Sequence, residues 1–377
     1  MSYLEKLLNG VNVEWKPLGD FAHYEQPTKY LVKSNNYNNN FTTPVLTAGK
    51  TFVLGYTDET EGIYKASENP VIIFDDFTTA NKWVDFDFKA KSSAMKMITS
   101  KDESKASLKY IYYWMNTLPS DLVDGDHKRQ WISNYSNKLI PIPCPNNPKK
   151  SLEIQQKIVG ILDAFSELTA ELTAELTARK MQYSYYREKL LTFDENKVEW
   201  KSLGEVGEIK RGVAFTKKQA IFGKFPVVAN AAEPICFHNE FNRNGEFIVV
   251  ARSGANAGLI SYWNEELFLT DAFSIHPNIS FLNTKFAFYF LKRHQREIHL
   301  MKEGSGVPHV RASDFEIYKI PVPSLEEQER IVSILDKFDT LTTSISKGLP
   351  KEIELRKKQY EYYRDLLLTF PQNNLKE

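Results

Sequence analysis

The sequence has no excess of charge of either sign. Its 377 residues include 48 Lys and Arg against 48 Asp and Glu, so any nucleic-acid-binding surface must be a local basic patch. The only two cysteines, Cys144 and Cys236, lie in different halves at no metal-ligand spacing and are expected to be reduced thiols. No apolar run approaches the length of a membrane span, and the N-terminus lacks the apolar run of a signal peptide. We therefore expect a soluble, cytoplasmic protein.

Signatures of catalysis are equally weak. The segment Pro44–Thr51 ends like a phosphate-binding loop, but its first glycine is missing and a strand follows it instead of a helix. No glycine-rich fingerprint leads from a strand into a helix, so a cofactor site in this chain is not expected. Asp75 or Asp76 together with Asp87 and Lys89 mimics a metal-dependent nuclease site. That nuclease remains an alternative, and a coiled-coil adaptor without any DNA role is another.

A long duplication is the clearest feature that is present. The segment Ser151–Phe193 returns in edited form as Leu325–Phe370. IVGILDAF, which begins at Ile158, corresponds to IVSILDKF, which begins at Ile331, and both segments end in a QYxYYRxxLLTF motif. A duplication of this length determines the domain plan, so it is interpreted before any single motif.

Both copies have the spacing of a helix that pairs with another helix. Apolar residues in the first copy recur alternately four and three positions apart, at Ile154, Ile158, Ile161, Phe165, Leu168 and Leu172. Two Thr-Ala-Glu-Leu copies, Thr169–Leu172 and Thr173–Leu176, then space leucines by four. In the second copy, Gly348 and Pro350 predict a break. Because one chain carries both copies, an intramolecular antiparallel pair is favoured over a coiled coil between chains.

The segments before each long helix also repeat. VEWK-x-LG opens both at Val13 and at Val198, and an IPxP sequence closes them at Leu139–Pro143 and Lys319–Pro323. Short apolar runs bounded by Gly, Pro, Asn and Asp between these motifs predict strands, including Phe268–Ile275 as one strand. The fold class is therefore α+β, with two pseudo-repeated strand-rich domains joined by two long antiparallel coiled-coil helices.

The predicted boundaries follow from this repeat. They are an N-terminal helical segment 1–12, a first domain 13–148, a central helix 149–193, a second domain 194–323 and a C-terminal helix 324–377. The first residues resemble the last turns of a repeat helix, since Tyr186–Leu191 is followed by a VEWK opening in the same way. We expect Tyr3–Leu8 to pack beside Tyr360–Leu368, which would close a circular pseudo-twofold arrangement.

The paired VEWK-x-LG openings, IPxP exits, IVxILDxF helices and QYxYYRxxLL(L)TF ends resemble the DNA-specificity subunit of type I restriction–modification enzymes. The resemblance covers essentially the whole chain. It implies a non-catalytic subunit whose two target-recognition domains each read one half of a bipartite, asymmetric site in double-stranded DNA. It further implies two modification (methyltransferase) subunits and restriction/translocase subunits as partners, with S-adenosylmethionine, ATP and magnesium in those partners and none in this chain.

The Thr-Ala-Glu-Leu copies fall where members of that family set the spacer between half-sites. The residues of this ruler are Thr169, Leu172, Thr173 and Leu176. Four helical residues add about 6 Å, which equals one to two base pairs of B-DNA at about 3.4 Å each. Aromatic and basic residues at the far ends of the helices are candidates for subunit docking, namely Tyr183, Tyr186, Arg187, Tyr360, Tyr363 and Arg364.

Loops in equivalent positions of the two domains are candidates for reading bases. Each follows a buried strand, at Asp75–Lys82 in the first domain and Arg252–Gly258 in the second. Arg252 suits guanine, Asn81 or Asn256 suits adenine, and Asp75 or Asp76 suits a cytosine amino group. Loops just before the IPxP exits add the leading DNA-contact candidates Lys128, Arg129, His309 and Arg311. Weaker polar candidates are Lys50, Lys82, Lys91, Ser92, Lys210, Arg211 and Ser253.

Overall fold

The computed structural model describes residues 7–8, 10–49, 51–119, 129–216, 221, 223–231, 233–303 and 307–370. Its contacts divide the chain into two compact units, which we call the first unit (1–171 with 354–377) and the second unit (172–353). Each unit holds one strand-rich domain together with parts of the long helices. Among these residues, no helix is both long and apolar enough to cross a membrane.

The strands of the first unit form three small sheets. They are β1 (Val13–Pro17), β2 (Ala22–Glu25), β3 (Thr43–Leu46), β4 (Val53–Thr57), β5 (Val71–Asp75), β6 (Asn81–Val84), β7 (Lys89–Ala90), β8 (Met95–Ser100) and β9 (Leu139–Pro143). An antiparallel sheet has the order β2-β8-β5-β6, and a three-stranded sheet has the order β4-β3-β7 with β3 and β7 parallel. β1 pairs with β9 in a separate ribbon. Alternate residues of β5 and β8 lie in two different apolar cores on the two faces of the larger sheet.

The second unit repeats this plan strand for strand. Its strands are β10 (Glu199–Ser202), β11 (Gly207–Arg211), β12 (Phe225–Val228), β13 (Cys236–His238), β14 (Glu246–Ala251), β15 (Ile260–Asn264), β16 (Phe268–Leu269), β17 (Ala272–Pro277) and β18 (Lys319–Val322). The four-stranded order is β11-β17-β14-β15, the three-stranded order is β13-β12-β16, and β10 pairs with β18. The expected pseudo-repeated α+β domains are therefore present.

The pairing of the first and last strands in each domain explains why the VEWK and IPxP motifs occur together. Trp15 lies opposite Pro141 in one ribbon, and Trp200 lies opposite Pro321 in the other. Proline lacks an N–H donor, so it suits a two-stranded ribbon in which one edge of each strand needs no partner. The two motifs by themselves do not reveal that the opening is the partner strand of the exit.

The helices include the long ones that the duplication predicts and several short ones that it does not. They are α1 (Leu108–Met115), α2 (Gln130–Ser133), α3 (Pro148–Leu190), α4 (Leu203–Val206), α5 (Thr284–Arg293), α6 (Gln295–Leu300), α7 (Ala312–Glu316), α8 (Leu325–Thr343) and α9 (Gly348–Leu368). At 43 residues, α3 is about 64 Å long. The predicted break between α8 and α9 is present, and Gly348 there has a φ of +79°, a conformation that favours glycine.

One predicted strand is wrong. Phe268–Ile275 is interrupted, because β16 belongs to the three-stranded sheet and β17 to the four-stranded sheet. The chain changes sheets at Thr270 and Asp271, and Asp271 takes a φ of +40° to make the bend. Apolar residues on both sides of the bend hid it, since periodicity alone does not mark a change of sheet.

In the first unit, the N-terminal part of α3 is attached to its domain by polar contacts with α1. The Asp163 carboxylate accepts a hydrogen bond from the Tyr113 hydroxyl and lies 3.3 Å from Lys109 Nζ. One turn before Ile158, buried Gln155 accepts from the Ser107 amide at 3.0 Å and donates to the Lys105 carbonyl at 2.9 Å. These contacts fix the helix at one rotation against the domain.

The second unit uses the same residues at repeat-equivalent positions. Asp336 on α8 accepts from the Tyr289 hydroxyl at 2.6 Å and pairs with Lys285 at 2.6 Å. Buried Gln328 accepts from the Asn283 amide at 2.7 Å and donates to the Phe281 and Pro323 carbonyls. Burial, reinforced by the Asp336 hydrogen bond, raises the pKa of Tyr289 well above its usual range. The duplication therefore preserves the helix–domain attachment as well as the helix.

Helix pairing inside each unit follows the predicted seam. In the first unit, Phe165 stacks on Tyr363 with ring centroids 5.2 Å apart. In the second unit, the equivalent Phe338 stacks on Tyr186 at 5.6 Å and on Tyr183 at 5.9 Å. The N-terminal expectation also agrees with the described residues, because Leu8 shares an apolar core with Leu367 and Leu368. Residues 3–6 lie outside the described ranges.

Candidate nucleic-acid interface

A concave pocket of about 530 Å³ opens on the domain of the second unit. It brings together side chains from four separate stretches of the chain. Four of the predicted DNA-contact residues are among its lining, namely Arg211, Arg252, His309 and Arg311. Asp271 contributes a carboxylate to the same wall. Four predicted residues from three distant stretches of the sequence therefore converge on one surface.

Strand ends place these side chains. Arg211 ends β11 and Arg252 follows β14, while His309 and Arg311 stand just before α7. Two main-chain hydrogen bonds join the stretch before α7 to the stretch after β14. They run from the Val310 amide to the Arg252 carbonyl at 2.9 Å and from the Gly254 amide to the Pro308 carbonyl at 2.9 Å. The pocket is thus built on the sheet, which limits how far its side chains can move.

The pocket is cationic overall. Arg311 is 58% exposed and pairs with Glu303 at 2.6 Å, and Arg252 is 63% exposed and lies 4.0 Å from Asp271. Exposed ion pairs of this kind stabilise the fold little and dissociate readily. Three guanidinium groups against two carboxylates leave a net positive surface that attracts an anionic polymer.

Buried Arg243 supports the floor of this pocket. Its guanidinium donates to the carbonyls of Lys210 and Arg211, at 3.2 and 2.7 Å, and to the Ser274 hydroxyl at 2.6 Å. Burial lowers its pKa from the usual value, although an arginine remains charged at neutral pH. Arg243 therefore holds the end of β11 in place, and our sequence interpretation did not identify it.

His276 lies next to this cluster and supplies a test of its electrostatics. Burial, aided by Lys210 and Arg243, lowers the pKa of His276 to about 4, while Glu208 acts in the opposite direction. The unfolded chain takes up this proton near pH 6.5 and the folded chain does not until about pH 4. Stability is thus fully present above pH 6.5 and is lost as the pH falls towards 4.

Replacing His276 with Gln should remove that loss. Between pH 7 and 4.5 we expect the unmodified protein to lose about 2 kcal/mol more unfolding free energy than His276→Gln, less than the full shift because the ring is not completely buried. Guanidinium unfolding curves of both proteins at the two pH values measure the difference. Parallel losses would show that His276 is protonated in the folded state as readily as in the unfolded one.

The equivalent position in the first unit has the opposite charge. Asp76 occupies the place of Arg252, since the Gln130 amide bonds its carbonyl at 2.8 Å just as Val310 bonds Arg252. Asp76 is fully buried, accepts from the Trp131 amide at 2.9 Å, and lies 3.5 Å from Lys96 and 3.6 Å from Arg129. Its carboxylate is therefore committed to holding Lys96 and Arg129.

Asp75 is also engaged within the fold. Its carboxylate accepts from the Phe77 and Thr78 amides, at 2.9 and 3.2 Å, and only 8% of the residue is exposed. Buried carboxylates with these partners are poorly placed to meet a base, so the expectation that Asp75 or Asp76 reads a cytosine loses its support. Asp75 instead shapes the turn that follows β5, and Asp76 holds Arg129 in place.

The nuclease constellation does not assemble. Buried Lys89 pairs with Glu59 at 3.0 Å, and Asp87 pairs with Lys65 at 2.7 Å, so neither joins Asp75 or Asp76. Within the described residues, no group of three or more His, Cys, Asp or Glu side chains is arranged to hold a metal ion. The acid-x-lysine spacing arose from two unrelated ion pairs.

Comparison with known proteins gives this arrangement a family. The model of the family described as "Type I restriction modification DNA specificity domain" matches twice, at residues 11–179 and 195–355. The chain belongs to this family. It is 53% identical to the Escherichia coli "Type I restriction enzyme EcoR124I/EcoR124II specificity subunit" over 98% of each chain. The Escherichia coli "Type I restriction enzyme EcoprrI specificity subunit" is 31% identical over 92% of each.

A solved structure shares the fold of this specificity subunit. The type I restriction–modification S subunit from M. genitalium superposes with a TM-score of 0.68 at 19% identity, covering 97% of this chain and 98% of the other. With the family match, this makes the chain a DNA specificity subunit with two recognition domains and no catalytic role of its own.

The remaining base-reading candidates of the specificity subunit have mixed placements. In the second domain, Ser253 donates to Asp271 at 2.8 Å, Asn256 donates to the Asn230 carbonyl at 2.9 Å, and Lys210 pairs with exposed Glu208 at 2.9 Å. Ser253 and Asn256 thus serve first to shape the pocket wall. Asn230, which ties them together, follows β12 and was not identified from the sequence.

Polar candidates of the first domain lie on separate patches. Lys82 stands over the Phe52 ring, Lys91 donates to Asn35, and Ser92 caps the amide of Ala94. Asn81 is half-buried at the start of β6. Lys50 and Lys128 lie outside the described residues. Among the described side chains of this domain, Arg129 has the best position, with its guanidinium 48% exposed beside Phe77.

The docking candidates on the long helices are half-buried. Tyr183, Tyr186, Tyr360 and Tyr363 pack against other aromatic rings within their own units. Burial raises the pKa of Tyr183 and of Tyr360 to about 12 in each case. Arg187 and Arg364 lie over Tyr183 and Tyr360 respectively. The exposed aromatic positions are instead Tyr185 and Tyr362, at 60% and 63%, which are repeat equivalents.

Proposed function

We propose that the pocket around Arg211, Arg252 and Arg311 contacts the second half-site of a bipartite DNA target. The observation that carries this proposal is their convergence, with His309, on one cationic concavity at strand ends. Arginine offers a planar pair of donors that matches the O6 and N7 acceptors of guanine, and it binds phosphates equally well. The first domain would use the equivalent surface around Arg129 for the other half-site.

The long helices would set the distance between the half-sites. The ruler residues Thr169, Leu172, Thr173 and Leu176 lie in the middle of α3. Leu172 and Leu176 are half-buried and Thr173 is exposed, so this stretch continues the pairing face while presenting polar residues elsewhere.

The modification and restriction reactions would be catalysed by partner subunits. We propose that two modification subunits dock on the long helices and that restriction/translocase subunits join them. S-adenosylmethionine, ATP and magnesium would then be bound in those partners in the cytoplasm. Exposed Tyr185 and Tyr362 occupy repeat-equivalent positions, which supports two identical docking events. The adaptor alternative without DNA is not favoured, because it leaves the arginine-lined pocket unexplained.

DNA binding by the complex reconstituted with its modification subunit tests the pocket. Arg252→Ala and Arg311→Ala should each weaken binding to the cognate duplex by about 1–3 kcal/mol, with relaxed selection in the second half-site. Arg129→Ala should act likewise on the first half-site. Titrations at several salt concentrations measure both affinity and the number of phosphate contacts.

A matched control is available on α8. Arg330 is 53% exposed and pairs with Glu327 at 2.7 Å, which closely resembles the Arg311–Glu303 pair, yet it does not line the pocket. Arg330→Ala should leave affinity for DNA unchanged. If Arg252→Ala and Arg311→Ala bound the cognate duplex as tightly as this control, the pocket would not be the DNA surface.

A further inference from the structure

Among the residues that the structure describes, Asp271 is the one acidic side chain that lines the arginine pocket. It makes the bend between β16 and β17, where its φ of +40° lies in a region that few residues other than glycine adopt. Aspartate tolerates this region better than most residues, at some cost in conformational energy. Strained residues of this kind cluster at functional sites when the surrounding structure holds them firmly.

The surroundings of Asp271 hold it firmly. Its Oδ2 atom accepts hydrogen bonds from the Asn230 side-chain amide and from the Ser253 hydroxyl, the latter at 2.8 Å. Asn230 is itself fixed, because its Oδ1 accepts from the Arg252 and Ser253 amides at 3.2 Å each. The Oδ2 atom is therefore occupied by hydrogen bonds within the protein, and these bonds fix the orientation of the carboxylate before any ligand binds.

The other oxygen, Oδ1, lies on the side of Arg252. Oδ1 lies 4.0 Å from Arg252 Nη1, which exceeds hydrogen-bond distance. The Asp271 side chain is 45% exposed and that of Arg252 is 63% exposed. The Arg252 guanidinium thus lies beside the Asp271 carboxylate without a hydrogen bond between these two atoms, and both groups are accessible to a molecule in the pocket.

A carboxylate on a surface that approaches phosphates repels them, so its charge is costly unless it accepts a hydrogen bond from the nucleic acid. The base-edge donor that carboxylates recognise in the major groove is the N4 amino group of cytosine. Guanine, its pairing partner, presents O6 and N7 beside it as acceptors for arginine. Arg252 and Asp271 side by side therefore complement the two edges of one G·C base pair.

We propose that Asp271 is a specificity-determining residue that accepts a hydrogen bond from the amino group of a cytosine in the second half-site, next to a guanine bound by Arg252. This inference rests on the proposed DNA-binding role of the pocket. It assigns a base identity to one position of the half-site. Asn230 and Ser253 act as positioning residues, since they orient Asp271 and need not touch DNA.

The reconstituted complex of the specificity and modification subunits provides the test. Its binding is measured on duplexes in which every base pair of both half-sites is varied in turn. Asp271→Asn keeps the size of the side chain, and asparagine also tolerates positive φ. Its amide oxygen can still accept from Asn230 and Ser253, which turns a donor towards the base in place of Oδ1. At one position of the second half-site, the preference for cytosine over thymine should fall roughly 10- to 100-fold.

Two further variants separate a reading role from a structural one. Ser253→Ala removes one hydrogen bond to Oδ2 and should weaken the same base preference by a smaller factor. Glu265→Gln neutralises a carboxylate in the exposed turn after β15, outside the pocket, and should change nothing. Preferences in the first half-site should remain as in the unmodified complex for all three variants.

The outcomes distinguish this inference from the proposal on which it rests. If the unmodified complex selects bases and Arg252→Ala weakens it, but Asp271→Asn lowers affinity equally for every duplex, Asp271 reads no base and the inference is overturned. If Arg252→Ala and Arg311→Ala have no effect on binding, the proposed role of the whole pocket fails first. A changed preference at a single base pair with Asp271→Asn supports both.

Discussion

Inserting one further Thr-Ala-Glu-Leu copy after Leu176 is expected to abolish recognition of the original sites and to create recognition of sites with a longer spacer. Four residues lengthen α3 by about 6 Å and rotate its far end by about 40° beyond one full turn. Both half-site sequences should stay the same, because neither recognition domain is altered. Mapping methylated sites in cells that carry the locus and its partner subunits reads out half-sites and spacer together.

The size of this effect follows from how a bipartite site is bound. With the wrong spacing, only one recognition domain can engage its half-site, and affinity falls towards the non-specific level. That loss is typically 10³-fold or more. The new spacer should exceed the old one by one to two base pairs, since 6 Å of helix corresponds to that length of B-DNA at about 3.4 Å per pair.

Two control variants distinguish the effect of helix length from the effects of helix sequence and helix rotation. Replacing Thr173 by Ala changes the ruler without changing its length and should leave the methylated sites untouched. Inserting a single Ala after Leu176 rotates the following half of α3 by about 100°, which moves the pairing face away from its partner. This variant should lose site recognition without gaining a new spacing. If the variant with four inserted residues still methylated sites with the original spacer, the length of α3 would not set the distance between the half-sites.

Repetition made much of the fold predictable. The four-and-three spacing of apolar residues from Ile154 to Leu172 specified a paired helix, and Gly348 with Pro350 specified its break. The two loops that follow β5 and β14 can be aligned from the sequence alone, because VEWK and IPxP frame both domains. Consistent local signals at every level are what make such a prediction hold.

It was harder to predict which polar side chains of these domains are buried with partners and which are exposed. Asp76 and Arg252 occupy the same place, yet one is buried under Arg129 and the other is exposed in the pocket. A sequence shows that a loop is polar, but it does not show which polar groups satisfy the fold. Asp271 was missed for the same reason, since its bend depends on a change of sheet that only tertiary structure reveals.

The helix ends show how a docking prediction can fall on residues that also pair the helices. Tyr183 and Tyr186 were assigned to a docking surface, and their rings lie on the pairing face. The rings pack on Phe338, so burial of a large aromatic surface outweighs exposure for a partner. Tyr185, one residue away on the helix, faces out instead because adjacent residues are about 100° apart.

The attachment of α3 to the first domain makes the second large prediction. We expect Gln155→Leu to lower the free energy of unfolding by about 3–5 kcal/mol. Gln155 is fully buried, and its amide satisfies the Ser107 amide at the start of α1, the Lys105 carbonyl and the Ser151 hydroxyl. Leucine matches its size but leaves a hydroxyl of buried Ser151 and two part-buried main-chain groups without this partner. Each loss costs roughly 1–3 kcal/mol, and the costs are not fully additive.

The neighbouring glutamine supplies a matched control. Gln156 lies on the same helical turn but is exposed, so Gln156→Leu should change stability by less than about 0.5 kcal/mol. Guanidinium unfolding followed by circular dichroism compares the two directly. Gln328→Leu repeats the experiment in the second unit, where the glutamine bonds Asn283, Phe281 and Pro323, and a similar loss is expected. A buried amide with three partners cannot be replaced at no cost. Equal stability of the Gln155 and Gln156 variants would therefore contradict this role and would mean that apolar packing alone joins the helix to the domain.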